Sequence, residues 1–102
     1  MNKLRAHLLK HFNPEAVPDI DAIVEFHLTD DTHGIRISIG SGECRITDGE
    51  PTWTIYLQNE ETALALLQSK TDPIQLFMEQ KLASSGYIVA TFRVLRAFML
   101  GN

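Results

Sequence analysis

The sequence predicts an α+β domain in which helices cover a mostly antiparallel sheet of about five strands. Two observations carry this. Between residues 24 and 57, apolar and polar residues alternate with period two, broken by turn signals, as half-buried strands require. On either side of that stretch, apolar residues recur at helical spacing, and two of the runs begin with capping chemistry.

Leu4, Leu8 and Phe12 share one helical face, and Asn13-Pro14 stops that helix. Lys3, Arg5 and Lys10 flank it, a basic cluster in a chain of net charge −4. The plainer reading is a surface helix docked on the sheet. The sharper one is a helix that makes weak, transient contact with anionic lipid headgroups at a membrane surface. Residues 15–21, with Pro18 among three acids, read as a linker. Val24, Phe26 and Leu28 then alternate with Glu25, His27 and Thr29, and a turn spans residues 30–34. Ile35, Ile37 and Ile39 alternate with Arg36, Ser38 and Gly40, and Gly40-Ser41-Gly42 turns again. Cys44 and Ile46 precede a turn at Asp48-Gly49, after which Trp53, Ile55 and Leu57 alternate with Thr54, Tyr56 and Gln58. By periodicity alone this is an antiparallel meander with one apolar face.

Asn59 can cap the next helix, with Glu60 and Glu61 placed favourably against the helix dipole. Ala63, Leu64, Leu66 and Leu67 supply its apolar side, and it ends near Ser69-Lys70. A second cap follows at Asp72, with Pro73 where a missing N–H is harmless and Gln75 within reach of the cap amide. Ile74, Phe77 and Met78 form the apolar face of that short helix. Lys81 and Leu82 begin a different pattern that breaks at Gly86, and the last strand is expected around residues 82–86. Over residues 88–100, Ile88, Phe92, Leu95 and Met99 make a helical seam, widened by Val94 and Phe98. Val89 and Leu100 lie on the opposite flank beside Arg93 and Arg96. This is more apolar surface than a helix resting on one sheet needs, so a neighbouring helix, a second subunit or a greasy ligand is expected to cover it.

The order of helix, Phe77, short gap, Lys81-Leu82, Gly86 and amphipathic terminal helix resembles the sterol carrier protein type 2 family. That family commonly reads Pro-x-x-Ala-Phe-x-x-Gly-Lys-Leu-x-x-x-Gly-Asp here. Pro73, Phe77, Lys81, Leu82 and Gly86 agree, while Leu76 stands for the alanine, Gln80 for the first glycine and Tyr87 for the aspartate. Ser69-Lys70 stands where the family often has Gly-Lys, and Ile35 and Ser38 where it often has a Trp-bearing strand ending in Asp. The resemblance implies a single lipid-binding domain over residues 1–102, with three antiparallel strands and a crossover that sets the fourth beside the first. It also implies an apolar tunnel between sheet and helices that holds a hydrophobic ligand without catalysis.

Composition excludes several other classes. The charge of −4 and the lack of a basic face argue against a nucleic-acid partner. Cys44 is alone, so no internal disulfide forms and a reducing, cytoplasmic setting is expected. The N-terminal stretch lacks the apolar core of a secretion signal, and Arg93 and Arg96 interrupt the longest apolar run. His7 and His11 lie one turn apart, but Leu8 stands where a zinc hydrolase needs Glu. His27 and His33 flank a turn and read as exposed polar positions. Gly40-x-Gly42 is a fragment of a phosphate loop, and Asp30-Asp31 and Glu60-Glu61 are explained by solvation and capping. No metal, no cofactor and no enzyme activity are expected.

Two functional readings remain. In the first, Phe26, Ile55, Leu66, Phe77, Leu82, Phe92, Leu95 and Met99 are the tunnel wall, and Arg93 or Arg96 meets an acidic headgroup at its rim. The ligand is a fatty acyl chain, a sterol-like molecule, or a polyprenyl or quinone-type lipid of the kind that related ubiquinone accessory proteins handle. In the second, the wide terminal helix makes a homodimer or docks on a partner, as an interaction module or an accessory factor of a lipid or ubiquinone biosynthetic complex.

Overall fold

The computed structural model describes residues 2–32 and 34–101. Each alternating run becomes a strand: β1 (Ala22–Leu28), β2 (Gly34–Gly40), β3 (Glu43–Ile46) and β4 (Trp53–Leu57). A short β5 (Leu82–Ser84) completes a five-stranded sheet in the order β3-β2-β1-β4-β5. β1 pairs antiparallel with β2 and parallel with β4, while β2–β3 and β4–β5 are antiparallel. The fourth strand therefore lies beside the first, as the resemblance implies and a simple meander does not.

Register gathers the apolar residues on one face. Val24 sits between Ile37 and Trp53, and Phe26 between Ile35 and Ile55. A slip of one residue would turn the whole set outward, so burial itself fixes the pairing. The opposite face carries Glu25, His27, Arg36, Thr54 and Tyr56. The crossover between β3 and β4 runs over that second face. There Arg36 donates to the carbonyls of Gly49 at 3.1 Å and Asp48 at 3.5 Å, and the Thr52 amide reaches Ile23 O at 2.6 Å. Gly49 permits the close pass, because a Cβ there would stand 2.7 Å from Ile23 Cδ1.

Four α-helices cover the apolar face: α1 (Asn2–Lys10), α2 (Glu60–Leu67), α3 (Pro73–Met78) and α4 (Ile88–Phe98). A 3-10 turn at Pro14–Ala16 is capped by Asn13, whose Oδ1 accepts from the Glu15 amide. The core joins Leu4 and Leu8 of α1, Ala63, Leu66 and Leu67 of α2, and Val94, Leu95, Ala97 and Phe98 of α4 to the inward strand residues. Phe98 stands edge-on to Phe26 at 6.0 Å and tilted against Phe12 at 5.3 Å. Phe12 lies beyond the end of α1, yet still reaches the core.

Both predicted caps form. Asn59 Oδ1 accepts from the Thr62 amide and Asp72 Oδ1 from the Ile74 amide. Gln75 does not reach back to the cap as expected; it donates to Glu79 at 3.2 Å, one turn onward. The C-termini of α2 and α3 share one device. The Lys70 amide bonds Ala65 O and the Ser69 amide bonds Leu66 O. Likewise the Lys81 amide bonds Leu76 O and the Gln80 amide bonds Phe77 O. These are Schellman motifs, and the residue at the turn must be left-handed. Ser69 (φ 61°) and Gln80 (φ 63°) occupy those two places. They are the positions where the resembling family places glycine, and the backbone gives the reason.

Further expectations need correction. The Ile74, Phe77 and Met78 face of α3 does not meet the sheet: these residues are 55%, 44% and 76% exposed, and Leu76 is the buried anchor. The last strand stops at Ser84, and α4 at Phe98, because Leu100 peels away to bond α2. Its amide donates to Leu67 O at 2.8 Å and its carbonyl accepts from Ser69 Oγ at 2.6 Å. Finally, α4 buries Thr91, Val94, Leu95, Ala97 and Phe98, so its inner face is rotated from the expected seam. Ile88, Phe92 and Met99 fall on the flank, half-buried.

Candidate functional site

Five of the expected wall residues, Phe26, Ile55, Leu66, Leu82 and Leu95, are at most 1% exposed and lie in the centre of the core. Phe77 and Phe92 meet edge to face, with ring centroids 6.3 Å apart, at the junction of α3 and α4. Met99 lines a cleft of about 250 Å³ between the C-terminal ends of α1 and α4, together with His11, Phe12 and Leu100.

The α3–α4 junction is where apolar residues reach solvent together. Ile74, Phe77 and Met78 project from α3, and Tyr87 and Val89, 87% and 69% exposed, stand at the start of α4. α3 is six residues long and buries one side chain, so packing on the sheet holds it weakly. The start of α4 has no side-chain cap, since Tyr87 occupies that position. The Phe77–Phe92 contact thus separates an exposed apolar surface from the buried face of α4.

Arg93, a candidate for an acidic headgroup, is already engaged. Its guanidinium holds both oxygens of Asp19, one at 3.2 Å, and ties α4 to the segment before β1. The hydrogen bonds from Arg93 keep the Asp19 carboxyl below its ordinary value and raise the guanidinium's. A ligand carboxylate would first have to displace Asp19. Arg96 is exposed on the same helix.

The histidines separate into distinct roles. His7 is buried and donates from Nε2 to Phe98 O at 2.6 Å, latching α1 to the end of α4. Burial holds its imidazole below the ordinary value, opposed by the Phe98 bond and reinforced by His11, whose ring lies 4.7 Å away. His27 is not simply exposed. It stands 3.5 Å from Glu25 and edge-on to Tyr56, while Glu25 also accepts from Arg36 at 2.8 Å. His33 lies outside the described residues. Among the described residues no group of three or more His, Cys, Asp and Glu could hold a metal. Burial pushes the Cys44 thiol up, away from the thiolate a nucleophile needs.

One polar group escaped the sequence reading. Where β4, β5 and the start of α4 converge, Ser84 Oγ and Thr91 Oγ1 lie 2.6 Å apart, and the Gly86 amide donates to Ser84 Oγ at 3.0 Å. Thr91 is completely buried. Gly86 presses on Trp53: a Cβ there would come within 2.6 Å of the indole Cγ. Trp53 Nε1 is buried and, among the described residues, is the side-chain polar atom left without a partner. A threonine inside the apolar run of residues 88–100 was the one legible sign.

Among the described residues no helix is long and apolar enough to cross a membrane. The sequence model of the SCP-2 sterol transfer family matches residues 1–91. No curated protein sequence matches the chain. Among solved structures, the chain superposes on Pisa1, a stereoselective inverting sec-alkylsulfatase from Pseudomonas sp., with TM-score 0.71 and 14% identity. That match covers 93% of this chain but only 16% of the sulfatase. A ubiquinone synthesis protein, UbiJ-SCP2, matches with TM-score 0.67 and 10% identity, over 97% of this chain and 84% of its own. Sterol Carrier Protein 2 from Yarrowia lipolytica, in apo form, matches with TM-score 0.64 and 18% identity, over 99% and 89%. At such identities the likeness is one of fold.

Proposed function

The chain belongs to the SCP-2 sterol transfer family, and from that premise we propose that it carries one hydrophobic ligand, without catalysis, between its sheet and the α3–α4 pair. The observation that carries this reading is the exposed apolar surface at α3–α4. A monomer seldom leaves such residues together in water without a use. In this account the tail of a fatty acyl, sterol-like or quinone-type lipid enters at Ile74, Phe77 and Met78. It then parts Phe77 from Phe92 and lies along Phe26, Ile55, Leu66, Leu82, Leu95 and Met99. The short, weakly held α3 is the element that yields, because moving it disturbs one buried side chain, Leu76. Once α3 yields, the core side chains part to admit the tail, because Phe26, Ile55, Leu66, Leu82 and Leu95 are fully packed in this structure.

Delipidated protein and a fluorescent acyl probe test the proposal. Saturable binding, reversed by unlabelled lipid, is expected. Binding should weaken about tenfold in a Phe77→Ser, Met78→Ser double variant, which loses part of the apolar contact. The same surface suits a second reading, a homodimer. That reading wins if the protein takes up no probe, sediments as a dimer, and becomes monomeric in the double variant.

A further inference from the structure

A buried N–H without an acceptor is destabilising by about 1–3 kcal/mol in an otherwise satisfied fold, so an unpaired Trp53 Nε1 calls for an explanation. The indole nitrogen only donates. Gly86 links the indole to a part-buried hydroxyl pair: its Cβ position lies against the Trp53 ring, and its amide donates to Ser84 Oγ, 2.6 Å from Thr91 Oγ1. Ser84 and Thr91 spend one hydroxyl hydrogen on each other and leave the second available to donate. Gly86 keeps the indole and this pair together, since any larger residue would push the ring away. The cluster thus offers donors, and no lysine, arginine or histidine belongs to it.

On the reading of this chain as a lipid carrier, we propose that Trp53 Nε1, with Ser84 and Thr91, anchors the polar end of the ligand. That end is an uncharged acceptor oxygen, as in a ketone, ester or quinone carbonyl. A neutral carbonyl completes the unpaired N–H and brings no charge into the interior. A carboxylate here would be desolvated without a counter-cation, which is strongly unfavourable. A bare hydrocarbon would leave the N–H as it is. The anchor adjoins the start of α4, next to the α3–α4 junction, so the tail extends from it along the core.

The test uses three probes of equal chain length: a methyl ketone, an n-alkane and a fatty acid. Binding to the full chain is followed by native mass spectrometry and by the emission of Trp53, the single tryptophan of the sequence. The ketone should bind about tenfold more tightly than the alkane, as one added hydrogen bond allows, and should shift the Trp53 emission. Trp53→Phe should lose most of the ketone preference, and Thr91→Val a smaller part of it. If wild type binds ketone and alkane equally, or prefers the fatty acid, the anchor is wrong although the protein remains a lipid carrier. If no probe binds and no lipid is retained on purification, the carrier reading falls and the anchor with it. The wild-type comparison decides even where Trp53→Phe fails to fold.

Discussion

Helices α2 and α3 are built by the same local chemistry and meet opposite fates. Each begins at an Asn or Asp whose side-chain oxygen caps the first turn, and each ends in a Schellman motif with a non-glycine residue held left-handed. Yet α2 buries Ala63, Leu66 and Leu67 completely, whereas α3 buries Leu76 and turns Ile74, Phe77 and Met78 to solvent. Caps and propensity decide that a helix forms. Tertiary packing decides which face is used, and here it leaves one apolar face over. The helix with the closed face serves stability, and the open face of the other is where the proposed ligand would enter.

The largest effect expected from this contrast is Leu66→Ala in α2. Removing a fully buried leucine should lower unfolding free energy by about 2–5 kcal/mol, read from urea titration. The matching change in α3, Phe77→Ser, should lower it by under about 1 kcal/mol, because Phe77 is 44% exposed. A loss at Phe77 as large as at Leu66 would erase the distinction between the two helices.

A smaller effect concerns the shared C-terminal device. A non-glycine residue in the left-handed region is strained by roughly 1–2 kcal/mol, and glycine returns part of that as unfolded-state entropy. Gln80→Gly should therefore raise stability by about 0.5–1 kcal/mol. Ser69→Gly should gain less, because it also loses the Ser69 Oγ bond to Leu100 O. If both gains were equal, that bond would contribute nothing.

The pH dependence tests the latch that His7 makes between α1 and the end of α4. Burial lowers the His7 value from 6.5, so the folded protein takes up this proton less readily than the unfolded chain. As pH falls below about 6.5 the unfolded chain gains the proton first, and stability declines until the lowered folded value is passed. Above that window the full stability is present. His7→Gln, which can still donate to Phe98 O, should flatten this part of the curve in urea titrations run on both sides of pH 6.5. An unchanged slope would mean that His7 is not the group responsible.

Much of the fold was legible because its signals are local. Strict alternation around Phe26, Ile37 and Ile55 marks strands with one buried face, and Asn59 and Asp72 mark helix starts. What was hidden depends on distant partners. Periodicity says that Ile74, Phe77 and Met78 share a face, but not that Leu76 is the residue taken inward. α4 ends early because Leu100 bonds Leu67 and Ser69, and no local pattern around residue 100 announces that. The crossover beside β1 came from resemblance rather than from periodicity. Of the candidate wall, Phe26, Ile55, Leu66, Leu82 and Leu95 were legible as inward-facing residues, since an inward position follows from alternation or helical spacing. Whether they line a ligand is a matter of how α3 and α4 move, which no spacing encodes. The unpaired Trp53 N–H was invisible for a different reason: a strand pattern reports where an indole ring points, not whether its nitrogen finds an acceptor.

The most direct test of the central claim is native mass spectrometry of the freshly purified protein beside the Phe77→Ser, Met78→Ser variant. The account predicts a monomer carrying one lipid mass, greatly reduced in the variant. A bare chain in both, or a dimer without lipid that the variant dissociates, would contradict it.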